Sequence, residues 1–385
     1  MTTPATQVTP VTFASPTAPA SYSWEATDEE VAARYGVALE EIVRFDLNTS
    51  PTPPELAGRI LAAGRFVTPL SEYPPSDYRQ LIEAAAARYG VGTDELLVGA
   101  GADEILDLVG KTFLAPDDLA IVPTPTYAMF RVVTEQRGAT ALAVPRQPAD
   151  DGWSVELSAV REAARGARVL WLCSPNNPTA LAEPPGSIQG LLADLAADAA
   201  RDGREAPVVV LDEAYAEFVG ASLADLRFGY PNLVVVRTAS KAYALAGLRV
   251  GFAIARPEVI GRIAPYRPPG SVSTVSVTVV TEALRDDTLA TGNVARVVAE
   301  RARLIEALAD VGWRVGPSVT NFLLVDFGTP ERSARVADGL LRRGLVPRTF
   351  GAGHPLAAYL RLTVRDAAGN DRLIDAARTI ARDAT

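Results

Sequence analysis

The sequence predicts an α/β protein: a large, mostly parallel sheet covered by helices on both faces, then a smaller α+β unit. Three observations carry this. Apolar runs at 119–122, 141–144, 168–173, 207–211, 233–236 and 251–255 are continuous rather than alternating, as strands buried on both faces are. Helical stretches separate most of them. After about residue 287 the pattern changes to a long amphipathic helix followed by strand, helix, strand and helix. The expected organisation is a loose tail over 1–23, a segment over 24–59 packed on the small domain, a large domain over 60–287 and a small domain over 288–385.

The elements follow in order. Residues 1–21 are rich in Thr, Pro, Ala and Ser and bury too little apolar surface to order themselves. Thr27 with Asp28, Glu29 and Glu30 opens a short helix, the acidic side chains meeting the positive end of its dipole. The stretch 45–54 carries Pro51, Pro53 and Pro54 and is extended. A helix runs to Tyr89, where Gly90 ends it. A strand at 96–98, a glycine turn (Gly99-Ala100-Gly101) and a helix start at Ala102-Asp103-Glu104 gather free backbone N–H groups, a ready anion site. A helix around 191–200 covers the sheet. In the last part, Val294, Val297, Val298, Ile305 and Leu308 are expected on one apolar face of the long helix. Strands follow at 320–326 and 359–364, with helices at 334–343 and 370–381.

Composition limits the function. The 385 residues include 48% hydrophobic and 22% charged residues, an ordinary globular balance. A net charge of -9 lacks the basic footprint of a nucleic-acid binder. One histidine and one cysteine (Cys173) cannot assemble an N/S zinc site within one chain, so no metal is expected, nor an internal disulfide. The first residues carry no Lys or Arg before Arg34 and no long apolar core, unlike a signal peptide. With no run of about 18 apolar residues, no membrane span is indicated. The expectation is a cytoplasmic protein.

Chemistry-bearing residues recur just past the expected strands. Asn176-Asn177-Pro178 follows the run ending at Cys173; Asp212-Glu213-Ala214-Tyr215 follows the next; Ser240-Lys241 follows the third, with Arg249 eight residues on. Open α/β sheets bind ligands at that edge, so these residues should converge. Each has a plain alternative: Asn-Pro as a turn, Asp-Glu as a helix cap, Tyr as core, Lys241 as a surface lysine past a strand end. The sharper reading of Lys241 is an amine whose pKa is lowered by desolvation and which condenses with an aldehyde.

Taken together and in this order, these motifs resemble those of fold-type I pyridoxal phosphate (PLP) aminotransferases, and most closely of histidinol-phosphate aminotransferases. The likeness runs from about Trp24 onward. It rests on Tyr73-Pro74, Ala102-Asp103-Glu104, Pro125-Thr126-Tyr127, residues 173–179, 212–218 and 237–252. The resemblance implies a seven-stranded fold-type I large domain and a PLP-dependent transfer of an amino group between L-histidinol phosphate and 2-oxoglutarate or glutamate, in ping-pong fashion through an imine on Lys241. It implies that Asp212 pairs with the pyridine nitrogen, Asn177 and Tyr215 bond the ring 3′-oxygen, and Tyr127 stacks on the ring. The phosphate would lie on the backbone of Ala102 and Asp103, with Ser240 and Arg249. Lys241 would move protons. Tyr73 would reach the phosphate of a neighbouring subunit, which implies a homodimer with shared sites. On the substrate side Arg361 resembles a carboxylate clamp, with Asn321 and Asn48 beside it. Arg348 falls where the family places a phosphate-binding arginine; a solvated surface arginine reads equally well, and Arg267 is a second candidate.

Two departures stand out. Ala180 occupies a position where the family usually has glycine, which is harmless if its φ is negative. Asn48-Thr49-Ser50-Pro51 replaces the usual Asn-Glu-Asn-Pro and bears on the substrate rather than the reaction type. An aromatic amino acid aminotransferase is the nearest rival; a PLP-dependent phospho-amino-acid decarboxylase and a non-catalytic ligand sensor are more distant ones. His354 is expected in a surface loop.

Overall fold

The structure is a computed structural model in which residues 21–383 are described. Among these residues twelve strands form three sheets. They are β1 (Val43–Arg44), β2 (Leu96–Gly99), β3 (Leu119–Thr124), β4 (Thr140–Pro145), β5 (Val169–Cys173), β6 (Val208–Asp212), β7 (Leu233–Thr238), β8 (Gly251–Ile254), β9 (Arg314–Val315), β10 (Phe322–Asp326), β11 (Leu345–Val346) and β12 (Tyr359–Thr363).

The principal sheet has seven strands in the order β2-β8-β7-β6-β5-β3-β4. From β4 to β7 every pairing is parallel. The run at β8, read from sequence as one more strand of a mostly parallel sheet, is antiparallel to both neighbours, with Val235 opposite Ile254 and Thr238 opposite Gly251. The reason lies in the connection: residues 239–250 hold one short 3-10 turn (Ala246–Leu248) and no crossover helix, which a parallel return requires.

Alternation along the strands explains the two cores. Leu170, Leu172, Val209, Leu211, Leu233 and Val235 point to one face, and Val169, Trp171, Val210, Val234 and Val236 to the other; each set belongs to its own buried cluster. The first face is covered by helices Arg79–Tyr89, Ser187–Arg201 and Thr274–Arg285, the second by Gly101–Phe113 and Pro257–Ile263. Both faces of the central strands are dry, so the runs are uninterrupted in sequence.

The helix Leu289–Asp310 buries Val297, Leu304 and Leu308. Val298, expected on that face, is instead 39% exposed, because one residue further along a helix is 100° around its axis. Beyond it, β12-β10-β9 form an antiparallel sheet backed by helices Pro330–Leu341 and Ala367–Asp383. The chain before residue 50 is tied to this part: β1 pairs with β11, Phe45 O accepts from Thr363 N at 2.8 Å, and Tyr35 donates to Asp338. Of the expected tail, 1–20 lies outside the described residues; Tyr22 and Ser23 have no regular secondary structure and lie against Arg348. No described helix is long and apolar enough to cross a membrane.

Candidate active site

A cleft of about 550 Å³ opens at the C-terminal ends of β5, β6 and β7, between the principal sheet and the chain ends around Asn48 and Arg361. The register assembles its floor. Cys173 at the end of β5 lies opposite Asp212 of β6, which lies opposite Val236 of β7. Asn177, Tyr215 and Lys241 therefore leave neighbouring strand ends and meet.

Asp212 is 3% exposed, and its Oδ1 accepts from Ala214 N at 2.9 Å. Burial pushes its carboxyl up to about 7, against the lowering by that hydrogen bond. Such a group is incomplete without a cation. Lys241 is shifted the other way: desolvation, with the positive charge of Arg361, lowers its amine to about 8. Its Nζ is 5.8 Å from the centre of the Tyr215 ring. An amine with a substantial neutral fraction slightly above neutral pH is a competent nucleophile toward an aldehyde.

At one end of the cleft the helix Gly101–Phe113 begins directly after β2, and its first-turn N–H groups have no intrahelical partners. Two glycines let the backbone crowd there. A Cβ on Gly251 would come within 2.4 Å of Gly101 C and 2.5 Å of Ala102 N; one on Gly101, whose φ is +85°, would meet the Arg249 guanidinium at 2.5 Å. Arg249 Nη2 donates to Asp103 Oδ2 at 3.0 Å, and Tyr127 Oη donates to Asp103 Oδ1 at 2.8 Å. Thr238 Oγ1 accepts from Ser240 N at 3.1 Å and donates to Ser240 Oγ at 2.9 Å. This corner offers helix amides, hydroxyls and a guanidinium, the donor set of a phosphate cradle. With the isolated Asp212 carboxylate and the Lys241 amine, it fits a phosphorylated aromatic aldehyde with a basic ring nitrogen, which is what PLP is.

The opposite wall comes from distant parts of the chain. Arg361 is 5% exposed; its Nη1 donates to Asn177 Oδ1 at 2.6 Å and its Nη2 to Asp46 O, while its Nε has no partner. Among the described residues no carboxylate pairs with it. Because Asn177 accepts through Oδ1, its Nδ2 is left to donate into the cleft. Asn48, at φ +53°, donates through Nδ2 to Tyr215 Oη at 3.1 Å, which leaves the phenol proton free to donate elsewhere. Burial raises that phenol, so it stays protonated. Asn321 holds this arrangement by donating to Asn48 O at 2.9 Å, and its own Oδ1 is buried without a partner.

Arg348 is not a free surface arginine. It exchanges both backbone hydrogen bonds with Arg361, at 3.0 and 3.1 Å, so the two side chains leave the same face. Its Nη1 donates to Ser23 O at 2.7 Å and lies 3.6 Å from Glu25, and its guanidinium sits 5.4 Å from the centre of the Tyr22 ring. Arg267 is not in the cleft: it donates to Ser76 O and Val98 O and lies over the Tyr78 ring. Tyr73 of this chain is also outside, 90% exposed beside Leu70 and Ser273. Ala180 departs from the expectation of a negative φ. Its φ is +66°, and it is fully buried, so the methyl sits in the left-handed region rather than in an accommodating one. His354 lies in the loop after Phe350, its ring stacked on that phenyl.

Sequence reasoning missed Tyr22, Asp46 and Thr238, all of which line the cleft. Tyr22 and Trp24, with ring centres 4.8 Å apart, are two aromatic residues at the end of a Pro/Thr/Ala-rich stretch, a signal that composition alone obscured. Asp46 contributes its carbonyl, for which no sequence signal exists.

The sequence matches the family of class I and II aminotransferases over residues 46–377. It is 35% identical over 352 residues to the histidinol-phosphate aminotransferase of Symbiobacterium thermophilum, covering 90% of this chain and 92% of that protein. It is 36% identical over 363 residues to that of Roseiflexus castenholzii, covering 92% and 93%. Its fold matches the histidinol-phosphate aminotransferase of Sinorhizobium meliloti, solved in complex with pyridoxal-5'-phosphate, with a TM-score of 0.84, 24% identity and coverage of 94% and 96%. The chain therefore belongs to the class I and II aminotransferases, as a PLP-dependent member of their histidinol-phosphate aminotransferase family.

Proposed function

We propose that the protein transfers the amino group of L-histidinol phosphate to 2-oxoglutarate. The observation that carries this is the cross-strand pair Arg348 and Arg361, of which Arg361 lines the cleft and Arg348 lies beside Tyr22, which lines it too. Histidinol phosphate bears a phosphate ester where an amino acid bears its α-carboxylate. A dianion at that position calls for two cations, whereas glutamate offers one carboxylate there. Adjacent guanidiniums serve both partners of a ping-pong reaction from one place. The relatives carry the corresponding name over most of their length.

In this reading PLP, when bound, supplies the electron sink for the carbanion at the substrate's Cα. Asp212 holds the protonated pyridine nitrogen, and a cation there relieves its buried charge. Asn177 Nδ2 and the Tyr215 phenol donate to the ring oxygen. The amides of Ala102 and Asp103, with Ser240 and Arg249, would hold the phosphate, and the Tyr127 ring, fixed through its hydroxyl by Asp103, would pack against the cofactor ring. Lys241 would hold the cofactor's aldehyde carbon and, once freed by the substrate amine, would carry the proton that leaves the substrate's Cα. Tyr22 closes the cleft beside Arg348. The same reading makes the molecule a cytoplasmic homodimer. Tyr73, together with exposed Leu70 and Tyr266, is then the surface that meets the second copy, with Tyr73 entering its phosphate site. The large and small units divide near residue 287.

The test is a half-reaction on PLP-loaded protein without keto acid, with L-histidinol phosphate and L-phenylalanine added in parallel and the Lys241-linked absorbance followed. Fast conversion by histidinol phosphate, slowed by Arg348→Gln while phenylalanine is unaffected, supports the proposal. Faster conversion by phenylalanine replaces the substrate with an aromatic amino acid and keeps the reaction.

A further inference from the structure

We propose that Asn293 and Arg296, on the first turns of the helix Leu289–Asp310, are positioning residues that lock the Lys241 loop and the Tyr215 phenol into one hydrogen-bonded frame. The proposal rests on the PLP reading of the site. Neither residue lines the cleft.

The connections run in two directions from Arg296. Its Nη2 donates to Asn293 Oδ1 at 3.1 Å, and Asn293 Nδ2 donates to Ala242 O at 3.1 Å, on the residue after Lys241. The same Nη2 donates to Ser50 Oγ at 3.3 Å. Ser50 lies two residues from Asn48, whose Nδ2 donates to Tyr215 Oη. Arg365 Nη1 steadies the residue between, donating to Thr49 O at 3.4 Å.

Donor and acceptor chemistry makes Arg296 the deciding member. A guanidinium can only donate, so contact with it forces the Asn293 amide to present its oxygen to Arg296 and its NH₂ to Ala242. Without Arg296 that amide is free to turn, and the Ala242 carbonyl loses its donor. On the other branch the Ser50 bond holds the segment that carries Asn48. Arg296 is half-buried and has no carboxylate partner among the described residues; its guanidinium bonds to these two side chains. Further along, the same helix is anchored in the small unit, where Arg301 Nη1 donates to Thr320 O at 2.6 Å and Leu304 and Leu308 are buried. A shift of the small unit against the sheet is thus delivered to both reactive groups at once.

The consequence is measurable on the PLP-loaded protein apart from turnover. Tyr215 and Asn177 draw charge from the ring oxygen, which otherwise favours the protonated form of the Lys241-linked chromophore. Loosening Tyr215 should therefore raise the pH midpoint of that absorbance change. Arg296→Met, which keeps the aliphatic stem, is expected to raise the midpoint by about half a unit or more and to lower kcat about 3- to 10-fold, with KM for the amine changed less. Ser50→Ala, a mild change that leaves packing intact, should shift the midpoint in the same direction by less. Arg296→Met and Asn293→Ala should be non-additive, because they cut one path. Arg296→Lys should restore part of the shift. If Arg296→Met and Ser50→Ala both leave the midpoint and kcat at wild-type values while the wild type titrates normally, the frame does not exist. If wild type shows no Lys241-linked absorbance, the PLP reading itself has failed, a separate outcome.

Discussion

The two walls of the cleft are built on different principles. The cofactor wall uses residues a few positions past the ends of adjacent strands, so sheet register alone brings Asn177, Asp212, Tyr215 and Lys241 together. The opposite wall is assembled from Tyr22, Asp46, Asn48 and Arg361, with Arg348 beside Tyr22, and its bonds span hundreds of residues: Asn48 reaches Thr363, and Arg348 reaches Ser23. A wall set by one rigid sheet tolerates little change in chemistry. One set by docking of three segments can be retuned piece by piece.

The comparison breaks first at Lys241. Lys241→Ala removes nucleophile and proton carrier together and should lower the half-reaction by about 10⁴-fold or more, with loss of the Lys241-linked absorbance. Retention of either would remove the cofactor wall's central member. Next is Asp212→Asn, which keeps shape and removes charge. It should cost roughly 10²- to 10³-fold in kcat, the scale of a lost electrostatic partner at the reacting centre.

Asp212 also gives a pH test. Its folded-state pKa of about 7 lies above the unfolded value of about 3.9, so the cofactor-free fold binds an extra proton between them. The Asp212 contribution to the stability of the cofactor-free protein is therefore most favourable below about pH 4 and is lost as pH rises to about 7. A protonated pyridine nitrogen beside the carboxylate cancels the loss. The gap in Tm between PLP-loaded and PLP-free protein should therefore widen from about pH 4 to about pH 7, and Asp212→Asn should flatten it. A gap that is constant with pH in the wild type would remove the assigned partnership.

The substrate wall should respond more gently and selectively. Arg361→Lys keeps the charge and loses the planar fork. It should lower kcat/KM for glutamate about 100-fold, about 2.7 kcal/mol, while leaving the Lys241-linked absorbance in place. Equal damage to the absorbance would mean the two walls are not separable.

How much could be read in advance follows the same division. The strand ends and their polar residues were legible, because continuous apolar runs locate strands and ligands gather past their C-terminal ends. The direction of β8 was not, because an apolar strand reads alike in both directions and the short link at 239–250 was not weighed. Arg348 was a substrate contact only by resemblance, with a surface arginine reading equally well, and the backbone exchange that puts both side chains on one face is a matter of register between a loop and β12. Tyr22 was lost to a composition argument: a Pro- and Thr-rich stretch looks unstructured until its two aromatic rings find a cleft. Asp46 acts through its carbonyl, which every residue has.

The smallest effect concerns Ala180, which sits on neither wall. At φ +66° its Cβ is strained against its own backbone, a cost of about 1 kcal/mol relative to glycine. Its backbone is nevertheless fully engaged, its N–H on Asn176 O at 2.9 Å and its carbonyl accepting from Val319 N at 2.8 Å, so the conformation is imposed by neighbours at both ends. Ala180→Gly removes the strain but lets the unfolded chain gain freedom, an opposing effect of about 0.4–1 kcal/mol. The methyl also fills buried space. These terms nearly cancel, and the net change in stability should lie within about 1 kcal/mol of zero, with half-reaction rates unaltered because the residue does not line the cleft. A large loss of stability would show that the methyl's packing outweighs its strain. A change in half-reaction rate without a change in stability would show that the turn after Asn177 controls that side chain, and that the cofactor wall extends one layer deeper than the strand ends.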